Sequence, residues 1–178
     1  MTIDSEYKER ILTTKETIDA LVLKELKQNI YSHGTPFIKF VILPVVIEYL
    51  GACLDSFPFN EKGHSEDRFN NSLKKLFPNK YKEFTKSNSN FYMYEGFRCN
   101  IIHRLKPENF ALTTRAEAKK DKNKHLELEN FREEKICLVL EDFYDDIEKA
   151  AKDLIKKYDN GKAPKQKGNE KQIRITIK

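Results

Sequence analysis

The chain of 178 residues is long enough for one domain with a substantial core. Charged residues make up 34% of it, and glycine and proline occur six times each, which favours a helical, well-solvated protein over a β-sandwich or barrel. The formal net charge is +5, but residues 159–178 hold six Lys/Arg against two Asp/Glu. The basic character therefore belongs to the tail more than to the folded body.

The first two helices follow from apolar residues that recur at helical spacing. Asp4 or Ser5 is a suitable N-cap for the first helix. The second is predicted over about 36–56, with Pro44 as a kink or break. Its apolar residues surround almost the whole circumference, so we expect it at the centre of the domain. Glu48 is an acid in this apolar helix and needs a partner to stay charged there.

The apolar run FIKFVILPVVIEYLGACL, residues 37–54, is about as long as a membrane span. It contains Lys39, Pro44 and Glu48, and charged side chains are rare inside a bilayer. We therefore predict a buried core helix and no membrane contact. The N-terminal residues are too polar for a signal peptide.

A third helix opens at Ser65 and leads into a basic segment over 74–86. The fourth helix holds Arg98 and His103 and must end before the next proline. Beyond it the apolar residues alternate with polar ones, which predicts a small β-hairpin at about 109–130.

Helical spacing returns between Val139 and Tyr158, where acids crowd the first half and lysines the end, as the helix dipole favours. The basic tail over 159–178 is interpreted as flexible, and its last residues, 173–178, alternate like a strand that could pair with the hairpin edge. The prediction is a mainly α protein. It has one domain over 1–158, built as a bundle of four to five helices with a small β-hairpin after the fourth.

Cys53, Cys99 and Cys137 are far apart and odd in number, which predicts neither a disulfide framework nor a zinc site and favours a reducing, cytoplasmic setting. The sequence holds no glycine-rich phosphate loop, Gly-x-Ser-x-Gly elbow or His-Glu-x-x-His motif. We expect no metal and no cofactor. His64 and His125 are predicted at a loop or strand surface, without a second ligand at metal spacing.

The stretch YEGFRCNIIHRLKP, residues 94–107, carries the candidate site. Helical spacing places Arg98 inside an apolar stripe, whose members are Phe91, Tyr94, Ile101 and Leu105. Its guanidinium should therefore be paired, either with Glu48 or with a bound anion. A histidine so close to a proline can equally be a simple partner for the C-terminal helix dipole.

A neighbouring face of the same helix carries Gly96, Cys99 and His103. Small side chains there would let a second helix or a substrate approach the backbone closely. Asn100 lies one turn from His103 and could orient its ring.

These residues resemble the HEPN families, all-helical domains defined by an Arg-x(4–6)-His motif on a late core helix. Arg98 and His103 match the Arg-Cys-x-x-x-His form seen in many bacterial members, and IEYLGACLDSF, residues 47–57, is similar to their core helix. The similarity spans residues 15–158. HEPN ribonucleases usually carry Asn, Asp or His directly after the arginine, whereas here Cys99 has that position.

The resemblance implies metal-independent RNA cleavage, or RNA binding, by a homodimer that meets through the motif helix. It further implies a toxin or defence component with a partner of antitoxin or nucleotidyltransferase type. His103 would transfer a proton and Arg98 would stabilise charge on the phosphate, with Asn100 as the third catalytic candidate. The residues expected to meet substrate or partner are Gly96, Cys99, Arg104 and Glu48.

A non-catalytic helical interaction module is the rival interpretation. In it, Arg98 and Glu48 form a structural pair and His103 only caps its helix. Exposure separates the two interpretations. Catalysis requires Arg98 and His103 to reach one solvent-open groove, whereas an Arg98 buried against Glu48 in each subunit favours the interaction module.

Overall fold

The computed structural model describes residues 8–129, 134–163 and 174–177. The prediction of a mainly helical protein is confirmed. The α-helices are α1 (Thr14–Thr17), α2 (Leu26–Tyr31), α3 (Pro36–Ala52), α4 (Ser65–Lys75), α5 (Asn100–Arg104), α6 (Arg115–Asp121) and α7 (Leu140–Asp159). Two π-helical segments are Ile18–Glu25 and Tyr94–Cys99, and Asn79–Thr85 is a 3-10 helix. The strands are β1 (Lys8–Ile11), β2 (Phe110–Thr113), β3 (Ile136–Val139) and β4 (Arg174–Ile177).

The N-terminal region differs from the prediction of a helix capped by Asp4 or Ser5. Both caps lie outside the described residues, and β1 precedes the helix. The helix begins after Thr13, whose side chain accepts from the backbone N–H of Glu16 while the Glu16 carboxylate accepts from the Thr13 N–H. This reciprocal capping box fixes the start eight or nine residues later than expected. Strand β4 pairs antiparallel with β1 and not with the expected hairpin edge.

Helix α3 lies at the centre of the core, as its uniform apolar character predicts. It continues through Pro44, whose side chain is buried. Gly51 lets α4 approach closely, since a Cβ there would lie 1.7 Å from the Arg68 carbonyl oxygen. Among the described helices, none is long and apolar enough to cross a membrane.

Lys39 is buried within α3 and is satisfied by the end of another helix. Its Nζ donates to the carbonyl oxygens of Ile30, at 3.1 Å, and Ser32, at 2.6 Å. These carbonyls belong to the C-terminal end of α2, where helix carbonyls lack partners and the dipole is negative. Lys39 therefore caps the C-terminal end of α2 and holds that helix against α3.

The predicted hairpin at about 109–130 is wrong. Strand β2 pairs with β3 in parallel, from Phe110 opposite Ile136 to Thr113 opposite Val139. Helix α6, capped by the Thr114 side chain, lies between them in the chain. All four residues of β3 are buried, which is typical of a parallel strand covered on both faces.

Replacing Lys39 by methionine should lower the free energy of unfolding by about 2 kcal/mol, because two carbonyls at the end of α2 lose a charged donor. Urea unfolding followed by far-UV circular dichroism measures this change. Lys24→Met is the matched control. The Lys24 side chain is 70% exposed and pairs with Asp19 at the surface, so it should change stability by less than about 0.5 kcal/mol. Equal effects of the two substitutions would contradict the capping role.

Candidate functional site

The π segment Tyr94–Cys99 and α5 together form the motif helix. Its π turns bond each N–H to a carbonyl five residues back, as Asn100 does to Glu95. The helix ends at Leu105, which has φ +51° and ψ +29°, the left-handed conformation that usually belongs to glycine. Leu105 is 61% exposed, so it does not belong to the buried apolar stripe in which it was predicted.

Arg98 is held by two other helices. Its Nε and Nη2 donate to Glu48 Oε2 of α3, at 3.0 and 2.7 Å, and Nη2 also donates to Ser65 Oγ at the start of α4, at 2.9 Å. The predicted partner of Arg98 is therefore present. The side chains of Arg98 and Glu48 are 17% and 25% exposed, so the pair lies at the edge of the core.

The surroundings of Arg98 favour its charged form. Partial burial opposes the charge, but the hydrogen bonds and the attraction of Glu48 outweigh it and raise the pKa of Arg98 above its ordinary value. The guanidinium also lies over the Tyr94 ring, with 5.4 Å from Cζ to the ring centroid. Its Nη1 faces Cys99 Sγ at 3.9 Å, a weak acceptor. Nη1 is thus the nitrogen best able to donate to an additional oxygen acceptor.

His103 lies on the solvent side of the motif helix, unlike Arg98. Four residues lie between them, and Arg98 belongs to the π segment whereas His103 belongs to α5. Within the part of the chain that the structure describes, the two side chains share no hydrogen bond, and neither do His103 and Asn100. Asn100 is buried, and its carbonyl accepts from the N–H groups of Leu105 and Lys106 at the helix end. Arg104 is exposed and pairs with Glu108 at 3.2 Å.

The face predicted to admit a second helix is occupied by the chain itself at Gly96. A Cβ on Gly96 would lie 3.0 Å from the Glu108 carbonyl oxygen and 3.1 Å from the Phe110 ring. The Glu108 N–H also donates to the Gly96 carbonyl at 2.7 Å. The missing side chain at Gly96 therefore lets strand β2 pack against the motif helix. Cys99 is half-buried beside Arg98, which leaves His103 as the exposed member of that face.

Two grooves lie elsewhere on the molecule. One, of about 250 Å³, is lined by the start of α3 and the end of β2, including Phe37 and Leu112. The other, of about 470 Å³, lies before the motif helix, between Asn90, Asn109 and Lys135. Neither of these two grooves is lined by Arg98 or His103.

The sequence did not predict a buried series of hydrogen-bonded side chains around His125. The His125 side chain is 4% exposed, not at the surface as predicted. Its Nδ1 accepts from the Val139 N–H at 3.1 Å, so the neutral ring carries its proton on Nε2 and donates it to Tyr81 Oη at 2.8 Å. The Tyr81 hydroxyl in turn donates to Asp146 Oδ2 at 2.8 Å, and Lys80 neutralises that carboxylate at 3.1 Å.

These buried hydrogen bonds keep His125 neutral. Burial, aided by the charge of Lys80, lowers its pKa from 6.5 to about 3. Both ring nitrogens are hydrogen-bonded, so the histidine joins the 3-10 helix to strand β3 rather than serving as a base.

Leu105→Gly should stabilise the fold by about 0.5–1 kcal/mol, because glycine adopts the left-handed conformation without steric strain, although it is more flexible when unfolded. The Leu105 side chain loses little burial on removal, since it is largely exposed. Leu105→Ala removes the same side chain but keeps the strain and is the control. Urea midpoints compare the three chains, and a gain in the alanine variant equal to that in the glycine variant would contradict this account.

Acidification should destabilise the fold through His125. Below about pH 6.5 the unfolded chain binds a proton that the folded chain does not take up until about pH 3, so stability is complete above pH 6.5 and is lost on lowering the pH. The loss at about pH 5 should be roughly 2 kcal/mol. Urea unfolding at a series of pH values measures it. His125→Gln should be less stable at neutral pH but show a correspondingly weaker pH dependence, and an unchanged slope would contradict a buried neutral histidine.

The geometry thus gives a fixed arginine, an exposed histidine and a half-buried thiol on one short helix. Comparison with protein-family models, with curated proteins and with solved structures finds no match to this chain. What the site does must therefore be argued from its own residues and from the motif that Arg98 and His103 form.

Proposed function

We propose that this protein is a HEPN-like, RNA-directed protein that cleaves RNA without a metal ion and acts as a homodimer. The proposal rests on the Arg98–His103 motif, and the observation that supports it is the fixed guanidinium of Arg98. Three of its N–H groups are held by Glu48 and Ser65, while Nη1 remains for a phosphate oxygen. A positioned donor needs no reorganisation when charge develops on a phosphate.

The reaction would use the 2′-hydroxyl of RNA as the nucleophile on the neighbouring phosphate. His103 is exposed and can exchange protons with the attacking or leaving oxygen. The 2′ oxygen forms a bond to phosphorus as the bond to the 5′ oxygen breaks, which yields a 2′,3′-cyclic phosphate and a free 5′-hydroxyl. DNA has no 2′-hydroxyl and would not be cleaved. One histidine per chain serves one proton transfer, so two chains would supply the acid and the base.

Exposed lysines beside α4 and the 3-10 helix would hold the RNA backbone. Lys74, Lys75, Lys82 and Lys86 are exposed, and none forms an ion pair within the described part of the chain. The His125–Tyr81 bond joins this basic region to the segment that follows α6. Phosphate contacts by lysine give affinity without sequence preference and weaken as salt increases.

The second candidate is a non-catalytic interaction module, and the Arg98–Glu48 pair is the observation that favours it. The carboxylate neutralises the guanidinium within the chain, and Arg98 is half-buried whereas His103 is exposed. In this case Arg98 contributes to stability alone, and His103 is dispensable.

Cleavage of a labelled single-stranded RNA in EDTA tests the proposal. Wild-type protein should give products that end in cyclic phosphate, and His103→Ala should reduce the rate by at least about 100-fold. His103 is exposed, so its removal should change stability by less than about 0.5 kcal/mol, and a lost rate would report on chemistry.

His33→Ala, at another exposed histidine, is the matched control and should retain the wild-type rate. Arg98→Lys should also reduce the rate, because lysine cannot hold Glu48 and a phosphate with one planar group. Absence of cleavage by the wild-type chain, with Arg98→Lys merely less stable, would establish the interaction module instead.

A further inference from the structure

The π segment of the motif helix gathers polar side chains around Arg98. A π turn is closed by a bond between residues five apart, so Cys99 lies one turn above Tyr94 on the same face. Five residues of an α-helix would instead exceed a turn by about 140°. The Arg98 guanidinium lies over the Tyr94 ring, and its Nη2 donates to Ser65 Oγ at 2.9 Å. Each of these four residues is partly exposed, so solvent reaches all of them.

The direction of the hydrogen bonds in this group is set by Arg98, because a guanidinium can only donate. Ser65 Oγ accepts from Nη2, which leaves the Ser65 proton for another acceptor. Burial raises the pKa of Tyr94 above its ordinary value, and a hydrogen bond from Ser65 to the Tyr94 oxygen opposes that rise. Tyr94 is therefore protonated at neutral pH. Since its oxygen accepts from Ser65, its own proton is left for a further acceptor.

Two donors of this group meet at one weak acceptor. Arg98 Nη1 faces Cys99 Sγ at 3.9 Å, and the Tyr94 hydroxyl lies beside the same thiol. Sulfur is a poor acceptor, so neither donor has a strong partner within the part of the chain that the structure describes. A charged N–H and a neutral O–H that converge in this way are typical of a site for a phosphate oxygen.

We propose that the Tyr94 hydroxyl is a second phosphate donor, which binds the same non-bridging oxygen as Arg98 Nη1. The identity of the ligand as RNA rests on the proposed function, whereas the convergence of the two donors does not. Negative charge grows on that oxygen as the 2′ oxygen attacks phosphorus, and both hydrogen bonds strengthen in the transition state. Tyr94 is thus a further catalytic residue. It supplements Arg98, whose charge Glu48 partly cancels.

The substitution Tyr94→Phe removes the hydroxyl and keeps the ring beneath the guanidinium. In the EDTA cleavage assay kcat should fall by about 10- to 100-fold, toward the low end for an oxyanion donor because water reaches the site. KM should change by less than about threefold, and the urea midpoint should change little. Tyr31→Phe is the comparison variant. The Tyr31 hydroxyl donates to Asp145 of α7, so this variant should keep the wild-type kcat.

Sulfur substitution in the RNA gives a readout that a merely structural role of Tyr94 would not move. Sulfur in place of one non-bridging oxygen at the cleaved phosphate is a weaker acceptor. The wild-type protein should cleave one of the two diastereomers at least about tenfold more slowly, and this effect should be smaller in Tyr94→Phe. An equal sulfur effect in both proteins, with kcat unchanged in Tyr94→Phe, would overturn the assignment and leave the proposed function standing.

Inorganic phosphate provides a measurement that needs no cleavage. Phosphate should raise the urea midpoint of the wild-type protein, compared with chloride at equal ionic strength, by more than it raises that of Tyr94→Phe. Phosphate also stabilises folded proteins in general, so the difference between the two proteins is the measure. An equal gain in both would contradict the donor role. A gain that depends on Tyr94, in a protein that cleaves no RNA, would support the anion site and overturn the ribonuclease.

Discussion

The ion pair between Arg98 and Glu48 determines both how the helices are arranged and what the candidate site can do. Glu48 comes from the central helix α3, Arg98 from the motif helix, and Ser65 adds the start of α4. Three elements distant in sequence therefore meet at one guanidinium. Losing one partner of a fully buried pair costs about 3–5 kcal/mol, and the partial exposure of this pair reduces that figure. The motif helix cannot turn without breaking this contact.

The same contact limits the chemistry of Arg98. A free guanidinium at a phosphate acts as a full positive charge, whereas a neutralised one acts mainly through the direction of its remaining N–H groups. Here Nη1, beside Cys99 Sγ, is the nitrogen without a strong acceptor. Cys99 therefore offers Nη1 only a weak acceptor, while Glu48 fixes the rest of the group.

The features that could be predicted from the sequence depend on composition and helical spacing. The apolar circumference of α3 placed it at the centre, and an acid inside it pointed to Arg98. The features that could not be predicted depend on contacts between distant segments. Nothing near Gly96 shows that β2 would cover it, and the alternation around residues 109–130 is compatible with a hairpin until β3, buried on both faces, takes β2 as a parallel partner. Helical periodicity likewise cannot show that the motif helix stops at Leu105 in a left-handed turn.

Three cations of the interior, Lys39, Arg68 and Arg98, each bind the end of a segment. Lys39 binds the last carbonyls of α2, and Arg68 binds Asp55 together with the carbonyls of Pro58 and Phe59, which closes the loop before α4. Arg98 binds the start of α4 in the same manner. These charges are needed inside because helix ends and loops leave carbonyls and hydroxyls without partners. Because both charged side chains of α3 are bound to such partners, the side chains exposed on its outer face are aliphatic. Removing aliphatic side chains of this kind from water is favourable.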